Sequence, residues 1–62
     1  MTEHEAIELV ENWIREHSRF AATVVGITSS VHGTWVALVE CSTVLWEQTV
    51  SPEGEVGNPL IQ

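Results

Sequence analysis

The sequence predicts an α+β fold, with one N-terminal helix packed on one face of a three- to four-stranded antiparallel sheet in the order α-β-β-β. Three observations predict it. Apolar residues recur at helical spacing only between positions 2 and about 18. After Arg19 the chain becomes rich in β-branched residues and is cut by two short turn signals. Those two turns, taken independently, place the same residues on one apolar sheet face.

Residues 2 to about 18 read as the helix. Thr2 and Glu5 have capping-box spacing, in which hydroxyl and carboxylate each satisfy an orphan backbone N–H. Ala6, Ile7, Leu9, Val10, Trp13 and Ile14 fall on one stripe at ~100° per residue. Glu5, Glu8, Glu11 and Glu16 lie opposite, with Asn12 and Arg15 among them. One face is built for burial and the other shows acid.

The segments TVVGITS, TWVALVEC and TVLWEQTV read as strands joined by SVHG and CST. A two-residue turn at Ser42 and Thr43 sets Cys41 opposite Val44, Val39 opposite Trp46, Ala37 opposite Gln48 and Trp35 opposite Val50. A three-residue loop of Val31, His32 and Gly33, with Gly33 left-handed, sets Ile27 opposite Ala37 and Val25 opposite Val39. Both turns agree on one core face, which the helix stripe should cover. The other face would carry Val24, Val36, Leu38 and Leu45 among Thr28, Glu40, Glu47 and Thr49. Either it is a contact surface, or the C-terminal segment folds back over it. That segment, SPEGEVGNPLIQ, holds a turn at Pro52 to Gly54, then a short edge strand stopping near Asn58-Pro59.

With 62 residues the chain makes a single domain. A domain so small buries only about 60% of its unfolded surface, which leaves little room for a deep cleft. The hydrophobic fraction of 44% is that of a globular chain. One cysteine, Cys41, cannot form an internal disulfide, and Glu40 beside it disfavours a thiolate nucleophile. No signal-peptide pattern or membrane-length apolar run is present, so the expected location is the cytoplasm. His4 and Glu8 share a helix face at i, i+4, but a zinc site takes three or four ligands. His17 sits near the helix C-terminus, where an imidazolium suits the dipole. With no phosphate loop and no cleft to separate a pair of carboxylate pKa values, the expectation is a protein that is not an enzyme and needs no cofactor or metal.

Nine glutamates face two arginines and no lysine, for a net charge of −7. Such a field repels nucleic acid and anionic membrane and attracts basic surfaces. Local physics accounts for part of the acid. Glu3 and Glu5 suit the helix N-terminus, and Glu11 can pair with Arg15 at i, i+4. Glu8 and Glu16 are left over. Two readings stand: a merely soluble acidic protein, or a surface that meets a basic partner. For the second, the candidate partner-binding residues are Glu5, Glu8, Glu11, Glu16, Glu40 and Glu47.

In size, acidity and lack of lysine the chain resembles small phage-encoded inhibitors of the anti-CRISPR type, a likeness of general properties without a shared motif. The resemblance implies an inhibitor whose acidic surface mimics nucleic acid and blocks a basic, nucleic-acid-binding Cas subunit. A helix followed by antiparallel strands and closing on EQTVSPEGEV also looks like the small PepSY-type modules. That alternative implies a structural or regulatory module, as a homodimer through Val24, Val36, Leu38 and Leu45.

Overall fold

The computed structural model describes residues 1–19 and 21–60 in full, and of residue 61 the backbone. Helix α1 spans Glu3–His17. The Thr2 hydroxyl accepts from the Glu5 N–H at 3.2 Å, and the Glu5 carboxylate accepts from the Thr2 N–H at 2.9 Å. The predicted capping box is thus formed in both directions. Strands β1 (Thr23–Ser29), β2 (Trp35–Cys41), β3 (Val44–Val50) and β4 (Leu60–Ile61) follow. They form one antiparallel sheet in the order β1-β2-β3-β4.

The β2–β3 register is the predicted one throughout, from Cys41 opposite Val44 to Trp35 opposite Val50. Ser42 takes φ 57, the left-handed value that lets a two-residue turn follow the strand twist. The β1–β2 loop is also as predicted. Ser30 N–H donates to the Thr34 carbonyl at 2.8 Å, Gly33 N–H donates to the Ser30 carbonyl at 3.1 Å, and Gly33 takes φ 83. Ile27 pairs with Ala37.

The register then departs from expectation. Val24, not Val25, pairs with Val39, because an extra residue is inserted between Val24 and Gly26. This bulge corrects two assignments. Val24 packs on the core cluster instead of the outer face. Val25 leaves the core face and is 52% exposed at the β1 margin. Gly26, the next residue, pairs with Leu38, whose side chain covers the place a Cβ would take.

α1 lies across β1, β2 and β3 on the core face. Val10, Ile14, Ala37, Val39 and Val50 make the buried cluster. Leu9, Trp13, Ala22, Ile27, Trp35, Trp46 and Val56 surround it, half-buried. The radius of gyration, 10.6 Å, is that of a closely packed chain of this length.

The C-terminal segment repeats the first loop. Ser51 N–H donates to Glu55 O and Gly54 N–H donates to Ser51 O, both at 2.9 Å, with Gly54 at φ 90. In each loop the serine hydroxyl accepts backbone N–H bonds: Ser30 from His32 and Thr34, Ser51 from Glu55. Ser-x-x-Gly is therefore one loop design used twice. Val56 then bridges to Val50. The expected edge strand is corrected in position: β4 begins after Pro59, not before it. A proline lacks the N–H a ladder needs, so it sits at the interruption between the Val56 bridge and β4. The segment runs along the β3 edge and sends Val56 to the core, so it does not fold back over the outer face.

Candidate functional site

The six candidate carboxylates fall on two opposite sides of the molecule. Glu5, Glu8, Glu11 and Glu16 lie along α1, the layer that packs on the core face of the sheet. Glu40 and Glu47 belong to strands β2 and β3, where they pair with Leu45 and Leu38 on the outer face. The helix occupies the core face between the two sets, so one flat contact cannot touch both.

On the helix, Glu5, Glu8 and Glu16 are exposed and Glu11 is half-buried. Hydrogen bonds from the Thr2 backbone and hydroxyl hold the Glu5 carboxyl below its ordinary pKa, because they favour the charged form. Glu8, which the sequence left without a local role, has one: His4 Nε2 lies 2.9 Å from its Oε1. Both side chains are largely exposed, so that pair contributes little to stability. The expected Glu11–Arg15 pair is replaced. The Arg15 guanidinium donates to the Asn12 side-chain oxygen instead, an i, i+3 contact that leaves Glu11 as uncompensated charge. His17 folds back on Trp13, their rings stacked with centroids 4.0 Å apart. Its Nδ1 lies 2.8 Å from the Trp13 carbonyl, so the N–H there caps a C-terminal carbonyl of the helix.

Glu16 borders a groove of about 340 Å³ with Leu9, Asn12, Trp13, Gly54 and Val56. A second hollow of about 350 Å³ is lined by Thr34, Thr49, Ser51, Glu55, Val56 and Gly57. Among the described residues no three of His, Cys, Asp and Glu lie together as metal ligands. Cys41 is a free, half-buried thiol at the end of β2.

The outer face is chemically mixed. Val36 and Leu38 are half-buried, while Leu45 is 40% and Leu60 63% exposed. Leu60 pairs with Glu47 and so joins the same face. The sequence reading missed Leu60, because it ended the edge strand before Pro59. It also missed the role of Gln48, which it placed on the core face only as Ala37's partner. The one signal available was a lone amide within an apolar face, which requires partners if buried.

No family model, curated protein or solved structure matches this chain. No helix among the described residues is long and apolar enough to cross a membrane.

Proposed function

We propose that this chain is a small, acidic, non-enzymatic binding protein of the cytoplasm. It inhibits a basic nucleic-acid-binding protein, such as a CRISPR effector subunit, by presenting carboxylates where that protein binds phosphates. One observation carries the reading. Glu5, Glu8 and Glu16 are exposed along α1 with Glu11 half-buried among them, and the only arginine within that helix, Arg15, is turned to Asn12. Apart from His4 beside Glu8, the row is a strip of like negative charge, with about one carboxylate per ~5.4 Å turn. Charge of one sign on a surface steers association with an opposite surface and makes it salt-dependent.

The experiment replaces Glu5, Glu8, Glu11 and Glu16 together by Gln, which preserves helix propensity and the capping-box hydrogen bond. Affinity for a purified Cas effector subunit is measured across a salt series. A loss of tenfold or more, with a flatter salt dependence, is the expected result. Unchanged affinity and slope would remove the basis of the proposal. The alternative of a module that dimerises through its outer sheet face draws on the exposure of Leu45 and Leu60, but that face also carries Glu40 and Glu47.

A further inference from the structure

An antiparallel sheet needs one buried face and can leave the other to water. Here no described element layers on the outer face, although that face carries aliphatic side chains. α1 covers the core face. The C-terminal segment stays at the β3 edge. The other face presents Val36, Leu38, Leu45 and Leu60, with Val25 pushed out at its margin by the bulge. Glu40 and Glu47 stand among these aliphatics.

We propose that this outer face docks an amphipathic basic helix of a partner protein, completing an α/β/α sandwich. The occupant follows from size and charge. Strands of seven residues span about 24 Å, and the 15-residue α1 covers that length on the core face. A second helix of similar length fits the outer face in the same way, its apolar stripe on Leu38 and Leu45. Glu40 and Glu47 then meet lysine or arginine beside that stripe.

A second copy of this chain is the wrong occupant. Its one helix already lies on its own sheet, so it can offer only the same outer face. A face-to-face pair would set Glu40 and Glu47 against their own copies, in a chain of net charge −7.

The inference rests on the reading that the partner is basic, and it adds a contact on the sheet, separate from the one proposed for α1. The test titrates the isotope-labelled chain with a synthetic amphipathic helix of leucine and lysine, and with a scrambled peptide of equal composition. Methyl and amide NMR signals report the site. The expected result is that the Val36, Leu38, Leu45 and Leu60 methyls shift with the amphipathic peptide only. Leu45→Ser with Leu60→Ser should weaken binding at least tenfold. Glu40→Gln with Glu47→Gln should weaken it several-fold and lower its salt dependence. Both leucines are substantially exposed, so these variants keep the fold, and their backbone spectra verify it.

Shifts confined to the α1 amides, with the outer methyls unmoved, overturn the inference and leave the acidic-strip reading standing. Equal shifts with the scrambled peptide, or none with either, overturn it as well. Concentration-dependent methyl shifts without peptide identify a second copy as the occupant and also overturn it.

Discussion

Gln48 is fully buried, yet its side-chain amide is engaged at both ends. Its oxygen accepts the Trp46 indole N–H at 2.8 Å, and its nitrogen donates to the Gly57 carbonyl at 3.0 Å. Gly57 in turn donates its own N–H to the Thr49 carbonyl at 2.8 Å. A Cβ on Gly57 would lie 2.7 Å from the Thr49 hydroxyl, so any larger residue requires Thr49 to turn its side chain or the segment to draw back from β3. Gln48→Ala strips partners from the Trp46 N–H and the Gly57 carbonyl and should destabilise the fold by about 2–3 kcal/mol. Urea unfolding measures the total, and amide exchange should show residues 56 to 60 loosening first. A loss under about 0.5 kcal/mol would show that water replaces the amide at no cost. Glu5 makes a second residue-scale prediction. Its folded pKa is depressed by the Thr2 hydrogen bonds. The cap's contribution is therefore present above the ordinary glutamate pKa and lost as pH falls through the depressed value. Protection of the Thr2 and Glu5 amides should fall over that acid range; Thr2→Ala, which removes the hydroxyl but keeps the backbone N–H, should reduce the dependence, and Glu5→Gln should abolish it.

Elements were legible wherever a local pattern and a long-range requirement coincided. The α1 stripe and the capping box are local. The β2–β3 pairing follows from one turn and an alternation that a slip would ruin. The bulge was not legible in this way. Val24 and Val25 are the same residue type, so nothing in their side chains says which should face the core. A β1 margin at the edge of the sheet tolerates the extra residue, and Gly26 beside it adapts to the altered twist. The register makes a sharp prediction. Val24→Asp buries a carboxylate against the core cluster and should cost about 3 kcal/mol or more, whereas Val25→Asp should cost less than about 1 kcal/mol. Denaturant midpoints of the two variants decide it, and the uninterrupted register would reverse their order.

For the whole molecule, nine glutamates against two arginines mean that folding concentrates like charge. Added salt screens that repulsion, since the Debye length falls from ~30 Å at ~0.01 M to ~3 Å at ~1 M. The thermal midpoint should therefore rise by several degrees between those salt concentrations, as read by circular dichroism in sodium chloride. A midpoint that is flat or falls would mean that local pairs such as His4–Glu8 outweigh the net field. The same screening should weaken any complex with a basic partner, so stability and binding are expected to move in opposite directions with salt.

Periodicity, capping chemistry and turn spacing were enough to define α1, the three long strands and the face they share, because each is a repulsion or attraction between near neighbours in the chain. The surplus of acid was equally plain from composition. Tertiary structure alone decided the rest. It assigned Val24 inward and Val25 outward, since register depends on a bulge that both valines permit. It turned Arg15 to Asn12 and gave His4 to Glu8, since side-chain rotamers choose between partners three and four residues away. It also carried β4 past Pro59 along the β3 edge, so that no described element covers the outer face. Which surfaces stay open to a partner depends on where the last element packs, and that is settled by contacts between residues far apart in the chain.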